Sequence, residues 1–322
     1  MRIDEAPKLV TVFGGSGFVG RHVVRALANR GYRVRVAVRR PDLAFDLQPL
    51  GNVGQIKAVQ ANLRYRWSVD RAVEGADVVI NLVGILKESG RQDFASVQEF
   101  GARAVAEAAR AVGARLIHVS AIGADAGSAS HYGATKGRAE AAVLETVRDA
   151  VIFRPSIIFG PEDNFFNRLA AMARLSPVLP VIGAETRFQP VYVGDIAEAI
   201  ALATDGAVAG GKVYELGGPE VKTCRECLNT MLTIIDRNRL VVNLPWFMAK
   251  AVARLTGWLP GAPVTLDQVI MLQSDNVVSN EAIKARRTLD GIGITPRSMA
   301  AILPSYLVRF RPAGQFTRKG AA

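Results

Sequence analysis

Cysteine is nearly absent. The 322 residues include only Cys224 and Cys227, too few for the disulfide framework of a small secreted fold. Histidine is as scarce: His22, His118 and His131 all lie in the first half of the chain. They do not have the spacing of a four-ligand zinc site with the cysteines, so no metal is expected. No apolar run is long enough to span a bilayer, and the opening MRIDEAPK, with Asp4 and Glu5, has no signal-peptide core. These absences predict a soluble or peripheral protein in a reducing compartment, without internal repeats or low-complexity tracts. Acid is in deficit as well: 40 basic against 29 acidic residues leave a net charge of +11. That balance suits nucleotides, phospholipid headgroups or an acidic protein surface as partners. The cations are scattered and not interleaved with aromatics as in a binding module, so nucleic acid is not expected.

What is present begins with KLVTVFGGSGFVG, residues 8–20. A β-branched run stops at Gly14 and Gly15. Gly17 and Gly20 follow as a helical pattern starts with Val19, Val23, Val24 and Leu27. Strand, glycine turn and helix together predict a dinucleotide site. Glycines permit positive φ and close approach of a diphosphate, and the helix start supplies free N–H groups and a favourable dipole. A purely structural glycine turn is the bland alternative.

The second strand, 33–38, ends in Arg39 and Arg40, where an NAD-binding fold usually places an acid for the ribose hydroxyls. A guanidinium there suits a 2′-phosphate, so NADP is favoured over NAD. Further strands are read at 55–59, 76–83, 116–120 and 151–153, and helices at 69–73, 94–112 and 132–147. The alternation implies an α/β fold with a doubly wound, parallel Rossmann-type sheet. Asn62-Leu63 and Asn81-Leu82-Val83-Gly84 fall at strand C-terminal ends, where adenine and the second ribose are expected. Tyr132 and Lys136 lie one helical turn apart, with Ser120 ending the preceding strand. An ammonium there lowers a phenol's pKa towards acid–base use, or simply holds ribose hydroxyls.

Prolines 155, 161, 177, 180 and 190 interrupt the pattern after residue 153. The expected division is a nucleotide-binding domain over 1–155, with a return segment at 187–204, and a smaller C-terminal lobe with a basic tail over 156–322. Asp195 is placed as the cap of a helix through Ile196, Ile200 and Leu202, and 213–216 as a further strand. Thr223 and Glu226 have capping-box spacing. Cys224 and Cys227 then fall in the first turn of a helix, and this reading is preferred to a redox or metal pair. Residues 244–259 carry an apolar stripe (Leu244, Phe247, Met248, Ala251, Val252, Leu255, Trp258, Leu259) with Lys250 and Arg254 elsewhere on the wheel. Trp246 and Trp258 near its ends suit a membrane interface. Packing within its own lobe is the alternative. The tail from Leu307, with Arg309, Arg311, Arg318 and Lys319, is expected to be a flexible docking arm.

The glycine turn, Ser120, Tyr132/Lys136, Arg154-Pro155 with Gly160-Pro161, and Val191-Tyr192-Val193-Gly194-Asp195 resemble the extended and atypical short-chain dehydrogenase/reductases. With residues 159–167 (FGPEDNFFN) and 275–279 (DNVVS), the chain more narrowly resembles the NAD(P)-binding accessory subunit of respiratory complex I, NADH:ubiquinone oxidoreductase. That resemblance implies a tightly held NADPH remote from electron transfer and a structural or assembly role. It also implies other complex I subunits as partners, and a peripheral place on the cytoplasmic face of a bacterial inner membrane or the mitochondrial matrix side. It extends the cofactor set to Ser16, Phe18, Val19, Pro155 and Ile158. Phe13, Asn62, Ala104 and Ala121 depart from the active-enzyme pattern, leaving Ser120, Tyr132 and Lys136 in a depleted site. The rival expectation is a free NADP-dependent oxidoreductase or sugar-nucleotide epimerase using those three residues.

Overall fold

The computed structural model of the chain describes residues 7–256, 264–312 and 314. It divides into two compact units, one formed by Met1–Pro155, Gly194–Leu216 and Asn280–Ile294, the other by Ser156–Val193, Gly217–Ser279 and Thr295–Ala322.

The first unit opens with β1 (Leu9–Phe13), α1 (Phe18–Asn29), β2 (Arg33–Val38), β3 (Ile56–Gln60), α2 (Arg66–Val73) and β4 (Val78–Asn81). It continues through α3 (Gly101–Ala111), β5 (Arg115–Val119), α4 (His131–Thr146) and β6 (Val151–Pro155). The second unit starts with β7 (Ile158–Phe159), α5 (Phe166–Leu175), β8 (Val178–Ile182), β9 (Arg187–Phe188) and β10 (Val191–Tyr192). The chain returns to the first through α6 (Val193–Asp205) and β11 (Lys212–Leu216). The second unit then adds β12 (Lys222–Thr223), α7 (Cys224–Ile234), β13 (Leu240–Leu244) and α8 (Trp246–Thr256).

Seven parallel strands form the main sheet in the order β11-β6-β5-β4-β1-β2-β3. The chain order reverses beside β1, which pairs with both β2 and β4, and open parallel sheets bind ligands outside the strand C-termini at such a reversal, where the diverging connections leave a crevice. Both faces are covered, so the central strands are mostly apolar: Val10, Val12, Val36, Ile80, Ile117 and Ile152 are fully buried. Alanines 102, 106, 108 and 109 let α3 approach the sheet closely, against Val79 and Leu116.

The segment expected as one helix over 94–112 is divided. Residues Ala95–Phe100 are π-helical and α3 begins at Gly101. The wider turn accompanies an inward Gln98, whose amide donates to the Ile85 carbonyl at 2.8 Å. Asp195 is not the cap of α6 but lies buried within its first turn, because the helix starts at Val193.

In the second unit Phe159, Phe166, Leu179, Phe188, Leu228 and Leu307 share a core. The capping box of α7 forms as expected: Glu226 N–H donates to Thr223 Oγ1 at 3.2 Å, and Thr223 N–H to Glu226 Oε2 at 2.7 Å. Cys224 and Cys227 are buried beneath it, and burial pushes their thiols up to about 11 and about 12, outweighing the lowering pull of Arg225 on the first and Lys222 on the second. The expectation of a free arm from Leu307 fails at its beginning. Leu307 and Phe310 are buried, Arg309 donates to Asn167 Oδ1 at 2.6 Å, and Arg311 to the Ile234 carbonyl at 2.9 Å. Apolar anchors and guanidinium hydrogen bonds fasten this stretch; Arg318 and Lys319 lie outside the described residues.

Helix α8 turns its large apolar side chains away from its own lobe, so the alternative of the stripe packing within the lobe does not hold. Leu244 ends β13, while Trp258 and Leu259 lie outside the described residues. The inward side is small: Ala249 and Ala253 pack on Val269. Phe247, Met248, Ala251, Val252 and Leu255 face outward, Phe247 and Leu255 being 73% and 74% exposed. Among the described residues no helix is long and apolar enough to cross a membrane.

Candidate functional site

The turn after β1 assigns different work to its glycines. Gly14 has φ +80°, a left-handed conformation strained for a side chain. A Cβ on Gly15 would stand 2.7 Å from Val36 Cγ1, and one on Gly20 would stand 2.3 Å from the Gly14 carbonyl oxygen. Those two glycines are packing requirements. Gly17 is exposed, and a Cβ there would meet only the Gly14 oxygen, at 3.3 Å. Its bare flank therefore leaves room above the helix start. Among the described residues no side chain caps α1, and no acid stands in its first turn. Phe18 and Val19 continue that first turn, half-buried.

Next to this turn is a cavity of about 290 Å³ at the C-terminal ends of β1 to β4. Ser16, Gly17, Arg39, Asn62, Val83 and Gly84 are among its lining residues, with Gly14, Leu63 and Leu82 also on the wall. The predicted arginine pair separates here. Arg39 lines the cavity, whereas Arg40 turns away to Asp42 at 2.8 Å and is not part of the lining. Arg64, not among the expected site residues, also lines the cavity and donates to the Arg91 carbonyl at 3.0 Å. The available signal was a third cation just after Asn62-Leu63.

Asn62 builds the turn as well as lining the wall. Its Oδ1 accepts from Arg64 N–H at 3.2 Å, and Ser68 Oγ donates to its carbonyl at 2.9 Å. Asn81 faces inward, accepting from Val83 N–H at 3.1 Å and meeting His118 Nδ1 at 3.3 Å. It holds the strand end that presents Leu82, Val83 and Gly84.

Ser130 caps α4, accepting from Gly133 N–H at 3.1 Å, and so positions Tyr132 and Lys136. Arg154 fixes the same helix to β6 through three bonds to Glu140, at 2.9, 3.1 and 2.6 Å. Tyr132 is buried edge-on against Phe94. Lys136 is only 3% exposed; its Nζ donates to the Val119 carbonyl at 3.2 Å and lies beside Gly84. Burial pulls its ammonium down to about 8, against the raising influence of Glu140. His118 is held neutral, pushed down to about 3 by burial and, secondarily, by Lys136. Among the described residues, Ser120 Oγ and His118 Nε2 are buried without a hydrogen-bond partner. Unsatisfied buried groups of this kind are rare, and a site awaiting an additional group is one of the settings where they occur. Ala104 is buried in the α3 packing and Ala121 follows Ser120, so neither adds a polar group. Pro155 ends β6 in the first unit, and Ile158 opens β7 in the second.

Residues 10–217 match the NAD dependent epimerase/dehydratase family. The chain is 35% identical to the Arabidopsis thaliana protein NADH dehydrogenase (ubiquinone) 1 alpha subcomplex subunit 9, mitochondrial, over 95% of this chain and 79% of that one. It is 40% identical to a ceramide reductase of Caulobacter vibrioides over 60% of each chain. Among solved structures, the NADPH-dependent quinone oxidoreductase QOR2 of Escherichia coli superimposes with a TM-score of 0.72 over 92% of this chain and 99% of that one. Its 20% identity bears on the fold alone. The chain belongs to the NAD dependent epimerase/dehydratase family and, within it, to the group of the complex I alpha subcomplex subunit 9 proteins.

Proposed function

We propose that the protein is an accessory subunit of respiratory complex I that retains NADP(H) for structure and assembly rather than turnover. The observation that carries this reading is the relatedness to subunit 9 proteins along nearly the whole chain. The site residues fit the cofactor. The open flank at Gly17 and the uncapped start of α1 receive the diphosphate. Arg39, assisted by Arg64, takes the 2′-phosphate, Asn62 and Leu63 flank the adenine, and Lys136 holds ribose hydroxyls near Gly84. Bound cofactor then stabilises the native chain by mass action. Other complex I subunits are the partners, with a peripheral position on the matrix side or a bacterial cytoplasmic face. The outward apolar side of α8, with Lys250 and Arg254, is the surface for docking or for phospholipid headgroups.

Arg39→Ala tests the cofactor reading. Affinity for NADPH should fall about tenfold or more, as for loss of a charge-assisted contact, with little change for NADH. Equal effects on the two cofactors would contradict it.

A second reading, a reductase, is favoured by the relatedness to the ceramide reductase and by the unpaired Ser120 hydroxyl. Ser120 would hold a carbonyl oxygen and Tyr132 would protonate it, with Lys136 lowering the phenol's pKa. The cofactor would supply the hydride. Tyr132→Phe separates the readings: abolition of a measurable NADPH oxidation supports the reductase, and unchanged complex assembly without any such oxidation supports the subunit.

A further inference from the structure

A second cavity, of about 620 Å³, lies on the first unit between α2 and the strands β1 to β3. It does not share the dinucleotide cleft: its lining runs from Leu9, Arg33 and Gln55, near the strand N-termini, along β3 to Gln60. Four cations line it, Arg33, Arg35, Lys57 and Arg71, against one carboxylate, Glu74. Arg35 is fixed in place, donating to the carbonyls of Ala72 at 2.9 Å and Glu74 at 2.7 Å. Its neighbours make the charge expensive. The register sets Arg35 directly opposite Lys57 on β3, and Arg33 lies two residues along the same face. Like charges in direct cross-strand register are destabilising, and an anion in the groove would reverse the sign of that term.

Two further observations indicate the size and kind of anion. Side chains two residues apart on a strand are separated by roughly 7 Å, so Arg33 and Arg35 match a row of carboxylates better than one compact phosphate. Trp67, on the rim, is 67% exposed. An exposed indole among arginines has the composition of a protein interface centre, where Trp and Arg contribute most. Among the described residues β3 is also the edge of the sheet, its outer side without a partner strand. We propose that this groove receives an acidic, extended segment of a partner protein, carboxylates on the Arg33–Arg35–Lys57 row and an apolar side chain over Trp67. The inference is independent of cofactor binding at the glycine turn.

The test uses the full-length protein and a fluorescein-labelled peptide alternating glutamate and leucine, followed by anisotropy. Arg33→Glu with Lys57→Glu should weaken peptide binding about tenfold or more. The same charge change at Arg148 and Lys212, by the opposite edge strand, should alter it less than about twofold, the residue of unspecific attraction. Trp67→Ala changes no charge and removes an exposed side chain, so it carries the test should the charge reversal disturb folding; severalfold weaker binding is expected. NADPH affinity measured in parallel should be unchanged in all variants. Equal loss with the Arg148/Lys212 control would overturn the proposal, as would unchanged affinity in Trp67→Ala. So would displacement of the peptide by ATP, inorganic phosphate or phosphatidylglycerol vesicles at lower concentrations than by unlabelled peptide.

Discussion

Lys136 concentrates the physical tension of the site in one residue. Its ammonium is enclosed by protein with a single carbonyl bond described, and its pKa falls from 10.5 to about 8. The folded chain therefore binds fewer protons than the unfolded chain between those values, and stability rises with pH across that window. The shift corresponds to a cost on the order of 3 kcal/mol at neutral pH. Lys136→Met should raise the thermal midpoint of the cofactor-free protein by several degrees and abolish NADPH retention; a lowered midpoint would contradict the burial penalty. His118 acts at the acid end. Its folded pKa of about 3 lies below the ordinary 6.5, so the neutral imidazole contributes stability that is lost as pH falls from about 6.5 towards 3. Chemical denaturation of His118→Phe at pH 7 and pH 5 should show a smaller acid loss than the parent. At this scale the sequence revealed residue types but not directions. The arginine pair after β2 was legible, yet only Asp42 decides that Arg40 leaves the cleft to Arg39. The unpaired Ser120 hydroxyl depends on what its neighbours in space lack, which no spacing shows.

At the scale of elements, the glycine turn yields two separable expectations. Gly20→Ala forces a Cβ against the Gly14 and Gly15 backbone and should cost a few kcal/mol together with cofactor retention. Gly17→Ala meets little protein, so the thermal midpoint should stay nearly constant while NADPH affinity falls. Retained affinity in Gly17→Ala would contradict a diphosphate above that residue. The strands and helices of the first unit were readable because their periods agree with their burial. The π turn at Ala95–Phe100 was not, since it preserves helical composition and changes only the hydrogen-bond span. Helix α8 shows the converse limit: its apolar stripe was visible, but a stripe does not tell which side faces home. Two alanines make the inward contact and the large side chains face out. Phe247→Glu with Leu255→Glu should leave the midpoint of the isolated protein within about a degree, surface changes being nearly neutral. Association with membranes or with complex I should be reduced; unchanged association would remove α8 from the docking surface.

For the whole molecule, alternation of strand and helix made the parallel sheet legible, and in the order β11-β6-β5-β4-β1-β2-β3 the chain crosses back past β1 between β3 and β4. The composition of the compact units was harder to read, because Asn280–Ile294 joins the first unit only through tertiary contacts. The net charge of +11 likewise announced anionic partners without locating them; the structure concentrates part of it along Arg33, Arg35, Lys57 and Arg71. The proposed role is that of a complex I subunit that keeps its dinucleotide. Native mass spectrometry of the tagged full-length protein, captured from detergent-solubilised membranes of its own organism, tests this most directly. An assembly containing complex I subunits, with NADP(H) retained on this chain, is the expected result. A free protein without complex I subunits, or an assembled one carrying no dinucleotide, would contradict it.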